Sequence, residues 1–302
     1  MVSRGNAQGS LVEAAPAKVN LTLTVHGRRP DGYHEIESLV VFADAEAGDV
    51  VSLKPGGAFR LETTGPGAGA LTEAGEGANL VARAAIAAST KVPQLQTGTF
   101  RLEKRLPIAA GIGGGSADAA AALRLLRRAN ASLADEIDWM GLAASLGADV
   151  PVCLGRSAAI MSGLGERVVA VPNLPLLWAV LANPRVPLAT GDVFTALGAG
   201  PLKAGGRPTR ETAPPRFADL AVLLGYLADR GNDLEVVASL MCPEVADVRA
   251  RLSELDGSLL ARMSGSGPTC FSLFASSEAA QEGARHLAAA RPGWWVVATA
   301  LG

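Results

Sequence analysis

The sequence predicts a mixed α+β fold, and three observations support this prediction. Segments that alternate as β-strands do occur both in runs and between segments of helical composition. A glycine-rich loop, Pro107–Ala117, joins a predicted strand directly to a predicted helix. The continuous apolar run Leu176–Ala182 is typical of a strand that is buried on both faces. Strands in runs favour an α+β fold over a doubly wound sheet.

Each element is predicted from its local pattern. The first strand alternates polar and apolar residues with a period of two, and the turn sequence Arg28–Gly32 follows it. Asn79 is placed to cap the first helix, and Ser116 to cap the helix after the glycine loop. The predicted strands are Lys18–Val25, Ile36–Phe42, Asp49–Leu53, Thr99–Lys104, Ala158–Met161, Arg167–Val171, Leu176–Ala182, Arg262–Met263, Thr269–Phe274 and Trp294–Thr299. The predicted helices are Asn79–Ser89, Ser116–Arg128, Ile137–Leu146, Phe217–Leu227, Leu234–Leu240, Val245–Leu255 and Glu278–Ala290.

The remaining segments are predicted to be irregular. Met1–Glu13 is expected to be a loose tail, and Gly65–Gly77 and Gly198–Pro215 are rich in residues that favour loops.

Composition limits the classes of function. The chain has 302 residues, of which 49% are hydrophobic and 19% charged, as in a globular protein. A net charge of −2 with scattered basic residues argues against a nucleic-acid-binding protein. The sequence shows neither a secretory signal nor an apolar run of the ~18–20 residues that a membrane span requires. We therefore expect a cytoplasmic protein with no membrane partner, whose three cysteines are reduced and buried.

The glycine loop carries the strongest functional signal. Gly113, Gly114 and Gly115 allow the backbone to approach a ligand closely. The amide groups of such a loop and the N-terminus of the following helix form a site for phosphate. The loop lacks the Gly-Lys-Ser/Thr of a Walker A motif, and the acidic residue of a dinucleotide fingerprint is also missing. The alternative is a flexible turn before a packed helix.

Three further patterns contain groups that could take part in catalysis or recognition. Asp149 follows a predicted helix, where it either accepts a proton from a substrate hydroxyl or caps a turn. Lys18 begins a predicted strand, where it either stabilises phosphate charge or protects a sheet edge. Tyr33 and His34 either contact a nucleobase or belong to a hairpin loop. The segment Ser264–Gly267 forms a second glycine-rich turn.

These segments together resemble the GHMP kinases. The resemblance rests on Ala15–Leu21, Gly27–Glu35, Leu106–Asp118 and Leu146–Pro151, with Ser264–Gly267 as a further match. It implies a two-domain α+β fold, with domains at 1–165 and 166–302 and the active site in the cleft between them. The Gly-Tyr-His and Gly-Ala-Asp-Val-Pro blocks indicate a member that phosphorylates a hydroxyl group on a small molecule carrying a cytidine diphosphate group.

The resemblance also implies roles for individual residues. Asp149 corresponds to the catalytic base and Lys18 to its charged partner. The residues that correspond to the family's ATP phosphate loop are Pro107, Ile108, Ala109, Ala110, Gly111, Ile112, Gly113, Gly114, Gly115, Ser116 and Ala117. Asn79 and Leu80 correspond to the segment near the adenine. The residues that correspond to the family's substrate-binding positions are Asn20, Tyr33, His34, Thr190 and Phe194. Members of this family use ATP with Mg²⁺, and likeness to them suggests a monomer or a weak homodimer.

Two details depart from the family pattern. Ala109 and Ala110 stand where the family loop often has glycine, so we expect extended or helical backbone there and phosphate contacts at Gly111–Ser116. No acidic residue stands out as a ligand of Mg²⁺, which we expect the nucleotide and water to hold.

Three alternative functions remain at this point. They are a homoserine- or mevalonate-type kinase of the same family, a non-catalytic ligand sensor with the same fold, and a dinucleotide-binding oxidoreductase.

Overall fold

The computed structural model describes residues 9–69, 71, 77, 79–203 and 214–302. Its strands are β1 (Leu11–Pro16), β2 (Lys18–Asn20), β3 (Thr24–Arg28), β4 (His34–Phe42), β5 (Gly48–Lys54), β6 (Arg60–Thr64), β7 (Thr99–Glu103), β8 (Ala159–Gly163), β9 (Arg167–Ala170), β10 (Leu177–Asn183), β11 (Leu260–Met263), β12 (Cys270–Phe274) and β13 (Trp295–Leu301). Its helices are α1 (Leu80–Lys91), α2 (Gly114–Ala129), α3 (Trp139–Leu146), α4 (Val150–Gly155), α5 (Thr190–Leu197), α6 (Leu220–Ala228), α7 (Glu235–Met241), α8 (Pro243–Ser253) and α9 (Ser277–Ala290).

The strands form three sheets, which confirms the predicted α+β class. The first sheet has the order β1-β5-β7-β6, in which only the β6–β7 pair is parallel. The second has the order β2-β4-β8-β9, and β3 also pairs with β4. The third has the order β11-β12-β10-β13 and is antiparallel throughout. In the part of the chain that is described, no helix is long and apolar enough to cross a membrane.

The second sheet lies between two hydrophobic cores. Alternate residues of β4 point to opposite faces, so Val40 belongs to the core beneath the first sheet and Val41 to the core shared with the third sheet. On the first side, α2 packs against β1, β5 and α1, and its alanines allow close approach. On the far side of the third sheet, α7, α8 and α9 close a third core.

The apolar run predicted as a buried strand forms β10, at the centre of the third sheet. Its residues alternate between two cores: Ala179 and Leu181 face the second, whereas Val180 and Ala182 face the third. Burial on both faces explains why this segment carries no polar alternation.

Some predicted elements differ from the structure. The predicted strand Lys18–Val25 is split into β2 and β3, because Leu23 leaves the sheet and its amide donates to the carbonyl oxygen of Gly231. Part of the predicted tail, Met1–Glu13, belongs to β1, which pairs with β5. β6, α4 and α5 had no counterpart in the prediction.

The predicted tail and the two predicted glycine-rich loops extend into residues 1–8, 70, 72–76 and 204–213, which lie outside the described part. The domain division at residues 165 and 166 stays a prediction. The antiparallel pair β8–β9 joins the chain on either side of that point. All three cysteines are free and buried, as expected.

Candidate active site

A cavity of about 490 Å³ lies where β2, the glycine loop Pro107–Ala117 and the second glycine turn Ser264–Gly267 meet. The N-terminus of α1 and the loop after α3 complete its wall. Its lining includes these predicted site residues: Lys18, Asn20, Asn79, Leu80, Pro107, Ile108, Ala109, Ala110, Gly111, Gly113, Gly114, Gly115, Ser116, Asp149, Thr190 and Phe194. Tertiary structure thus brings most of the predicted residues to one place.

Lys18 and Asp149 face each other in this cavity. The Nζ atom of Lys18 lies 3.0 Å from Oδ2 of Asp149, and the two side chains are 4% and 31% exposed. Lys18 also donates to Oδ1 of Asn20 at 3.0 Å, and the side-chain amide of Asn20 donates to Oγ of Ser38 at 2.7 Å. Because Lys18 is buried, it does not serve as a solvated lysine at a sheet edge. The pair combines an ordered cation with a carboxylate that a ligand can reach.

The glycine loop runs through three residues with left-handed backbone. These are Ala109 (φ 50°), Gly111 (φ 70°) and Gly113 (φ 62°). The expectation that Ala109 is extended or helical is therefore wrong. The loop is anchored on both sides of Gly111, since the carbonyl oxygens of Ala110 and Ile112 accept hydrogen bonds from the Thr269 and Lys18 amides. Left-handed backbone at an alanine costs roughly 1–2 kcal/mol, which these anchors offset.

The two glycine-rich segments touch through their backbones. A Cβ atom on Gly111 would lie 2.6 Å from the carbonyl oxygens of Ser264 and Gly267, and one on Gly265 would lie 2.6 Å from that of Gly111. Ser264 Oγ accepts a hydrogen bond from the backbone amide of Asn20 and donates one to the Gly111 carbonyl, each 3.1 Å long. The second glycine turn thus holds the loop against β2, and its contribution exceeds what its short motif indicated.

Helix α2 begins inside the loop. Gly113 precedes its first residue, Gly114, so Ser116 lies within the first turn and is not the capping residue that the sequence predicted. Two features favour glycine at position 113: its φ is positive, and a Cβ there would lie 3.1 Å from Cε of Lys18. The amide groups of this first turn, together with the helix dipole, are suited to hold an anion close to Lys18.

Of the predicted substrate residues, Asn20, Thr190 and Phe194 line the cavity, whereas Tyr33 and His34 are not among its lining residues. His34 and Phe194 are stacked, with ring centroids 5.1 Å apart and planes 28° apart. Burial and the nearby charge of Arg28 lower the pKa of His34, so its imidazole is neutral at pH 7 and can both donate and accept a hydrogen bond. Tyr33, which precedes His34 in the chain, is 65% exposed. Thr190 begins α5 and its hydroxyl lies 2.8 Å from that of Ser266.

The other predicted nucleotide residues divide into two groups. Asn79 caps α1, as predicted, and its side chain accepts from the Val81 amide at 2.9 Å. It lines the cavity together with Leu80. Ile112 and Ala117, in contrast, are 1% and 2% exposed and belong to the hydrophobic cores. They support the loop from behind.

Comparison with known proteins identifies the family. Residues 79–157 match the model of the GHMP kinases N terminal domain, and residues 213–292 match that of GHMP kinases C terminal. The chain belongs to the GHMP kinase family. It is 50% identical over 297 residues to the 4-diphosphocytidyl-2-C-methyl-D-erythritol kinase of Rhodopseudomonas palustris strain ATCC BAA-98 / CGA009, covering 97% of each chain. It is 48% identical over 296 residues to the enzyme of the same name from Azorhizobium caulinodans, covering 96% of this chain and 99% of the relative.

Solved structures show the same family fold. A crystal structure of 4-(cytidine 5'-diphospho)-2C-methyl-D-erythritol kinase superimposes on this GHMP kinase with a TM-score of 0.73 at 33% identity, covering 97% of this chain and 99% of the other. Homoserine kinase from Cytophaga hutchinsonii gives a TM-score of 0.67 at 19% identity, with 99% and 97% covered, which shows the fold alone. The family and the fold inferred from the sequence motifs are therefore confirmed.

Sequence reasoning missed one charged cluster in this GHMP kinase. Lys104, which directly follows β7, contacts Asp49 of β5 and Asp118 of α2, and all three side chains are buried. Lys104 and Asp118 also line the cavity. A signal was present: Phe100 and Leu102 face inward, so the period of two places Lys104 on the same buried face.

The described residues of this GHMP kinase offer no cage for a metal ion. They contain no group of three or more His, Cys, Asp or Glu side chains placed to bind one. The two carboxylates that line the cavity, Asp149 and Asp118, are each paired with a lysine. This arrangement does not fit a dedicated Mg²⁺ site.

Proposed function

We propose that this GHMP kinase uses ATP to phosphorylate the 2-hydroxyl group of 4-diphosphocytidyl-2-C-methyl-D-erythritol, a step of the non-mevalonate route to isoprenoid precursors. Relatives that share about half of its residues over almost the whole chain carry the name of that enzyme. The observation that carries the proposal is the 3.0 Å contact between Lys18 and Asp149 inside the cavity that the glycine loop lines.

The glycine loop suits the phosphates of a nucleotide. Gly113, Gly114 and Gly115 all line the cavity, where side chains would otherwise fill the space next to the backbone. Their amides lie in the first turn of α2, which has a positive dipole end. When ATP is bound there, it supplies the phosphoryl group, and the loop keeps that group oriented and its negative charge balanced.

Asp149 is placed to act as the general base. Its side chain is 31% exposed, so a substrate hydroxyl can reach the carboxylate oxygen and donate its proton. Lys18 is held by Asn20 and Asp149 in a single position, from which its ammonium group compensates the negative charge that collects in the site. Asn20, itself fixed by Ser38, keeps Lys18 aligned and is close enough to the cavity to contact substrate.

His34, Phe194 and Tyr33 suit a cytosine ring. Phe194 lines the cavity and stacks on His34, an arrangement that supports the binding of a further flat ring at this end of the site. The neutral imidazole of His34 can hydrogen-bond to the edge of the base, and the exposed Tyr33 ring can cover its face. Asn79 and Leu80 line the cavity at the N-terminus of α1, close to Gly115, where they suit the adenine.

The absence of a protein cage among the described residues suggests how Mg²⁺ is bound. Mg²⁺ commonly retains several waters and binds through substrate phosphates. We therefore propose that the nucleotide brings the ion with its phosphates.

The proposal is tested by ADP release with 4-diphosphocytidyl-2-C-methyl-D-erythritol, homoserine and mevalonate as alternative acceptors. We expect turnover with the cytidylyl substrate only. Transfer to homoserine or mevalonate at an equal or higher kcat/KM would overturn the assignment of substrate but leave the kinase. Absence of ADP release with every acceptor, in a protein that binds ATP, would favour a non-catalytic sensor.

A further inference from the structure

The buried cluster of Lys104, Asp49 and Asp118 lies directly beneath the N-terminus of α2. The Nζ atom of Lys104 lies 2.7 Å from Oδ2 of Asp118 and also contacts Oδ2 of Asp49. A Cβ atom on Gly114 would lie only 3.1 Å from the same Nζ atom. Asp118 is four residues after Gly114 in α2, or about 6 Å along the helix axis. The cluster is therefore adjacent to the proposed phosphate site.

The two carboxylates are stabilised unequally. Oδ1 of Asp49 accepts hydrogen bonds from the amides of Arg105 and Leu106, at 2.6 and 2.8 Å. Oδ1 of Asp118 is buried and has no hydrogen-bond partner within the described part of the chain. An ionised carboxylate oxygen without a donor is costly to bury. Since one lysine faces two carboxylates, Asp118 is the group that holds a proton most readily.

The pKa directions agree with this geometry. Burial raises the pKa of Asp118 to about 7, Lys104 opposes the rise, and the charge of Asp49 adds to it. Burial alone would lower the pKa of Lys104, but the charges of Asp118 and Asp49 outweigh it and raise that pKa. Asp118 also interacts electrostatically with Cys153 of α4, but burial raises the pKa of Cys153 to about 12, so this thiol stays neutral.

We propose that Lys104 and Asp118 form a proton-binding element of the nucleotide site, in which Asp118 takes up a proton when anionic phosphate binds at the N-terminus of α2. The inference rests on the proposed binding of ATP at this loop. A bound phosphate brings negative charge next to a cluster that already carries one excess negative charge when Asp118 is ionised. Protonation of Asp118 makes the cluster neutral and removes that repulsion.

Linkage fixes the sign of the effect. Phosphate binding raises the pKa of Asp118, so the complex holds more protons than the free protein at pH values above about 7. Nucleotide affinity then falls as pH rises above 7, by up to about tenfold per pH unit. Below that range Asp118 is already protonated in the free protein, and affinity no longer depends on this group.

The test is isothermal titration of the β,γ-imido analogue of ATP with excess Mg²⁺, in buffers of different ionisation enthalpy. For the wild type at pH 7.5 we expect proton uptake of at most about three quarters of a proton per nucleotide, falling towards zero at pH 5.5. Asp118→Asn should bind the analogue with no such uptake. Asp135→Asn, at an exposed position, is the matched control and should behave as the wild type.

The outcomes separate the two proposals. Binding of the analogue by the wild type without buffer-dependent heat at pH 7.5 would overturn the role of Asp118, and so would equal uptake in Asp118→Asn. Absence of binding by the wild type at any pH would instead overturn the proposed ATP site. The wild-type pH series requires no variant, so the test holds even where Asp118→Asn does not fold.

Discussion

Replacing Asp149 by Asn tests the proposed base with the smallest change of shape. The amide keeps the size of the carboxylate and can still accept a hydrogen bond from Lys18. In the wild type the Nζ atom of Lys18 lies 3.0 Å from Oδ2 of Asp149. It cannot take a proton from the substrate hydroxyl at neutral pH. The substitution therefore separates proton transfer from the packing of the site.

The expected magnitudes differ between chemistry and stability. Loss of a general base lowers kcat by at least ~10²-fold, or about 2.7 kcal/mol in activation free energy. Lys18 keeps its 3.0 Å hydrogen bond to Asn20, and water reaches the partly exposed residue 149. The free energy of unfolding should therefore fall by only about 1 kcal/mol, because the buried ammonium group of Lys18 exchanges one charged hydrogen-bond acceptor for a neutral one.

The assay measures ADP release at saturating concentrations of both substrates, with binding of the ATP analogue and thermal unfolding measured in parallel. Asp135→Asn, which changes an exposed carboxylate outside the cavity, is the control. Wild-type turnover in Asp149→Asn would remove Asp149 from the chemical step. A matching loss of nucleotide affinity would show instead that the substitution disturbs the phosphate loop.

Three further predictions follow from individual contacts. Tyr33→Ala should raise the KM for the cytidylyl substrate more than the KM for ATP. Equal increases of both KM values in steady-state kinetics would argue against stacking of Tyr33 on the cytosine ring. Gly111→Ala should lower the melting temperature and raise the KM for ATP, because its Cβ would lie 2.6 Å from backbone oxygens of the second glycine turn. Gly225→Ala, in open space on α6, should instead be neutral or stabilising in the same melting experiment. Asn79→Ala should remove a helix cap worth about 1 kcal/mol, and an unchanged melting temperature would contradict that role.

Local patterns predicted the regular elements well where burial alone decided them. β10 was identified because residues buried on both faces carry no polar alternation, and α1 because Asn79 is a good cap. α5 and β6 were missed. Thr190–Leu197 is short and follows a proline-containing segment, and it carries no strong cap or period of its own.

The glycine loop shows where residue preferences were insufficient. Alanine disfavours left-handed backbone, so Ala109 was expected to avoid it. Hydrogen bonds from Thr269 and Lys18 to the neighbouring carbonyl groups hold the loop and override that preference. Both donors belong to segments that are distant along the chain, and no local rule includes them.

The sequence by itself determined the family, and it predicted a phosphate loop and the candidate pair Lys18 and Asp149, because these inferences depend on residue types at short spacing. Only the tertiary structure decided that the ammonium and carboxylate groups meet at 3.0 Å and that Lys104 is buried between two carboxylates. The physical reason is that charge pairing and burial depend on which strands and helices pack together. That packing is set by three cores assembled from the whole chain.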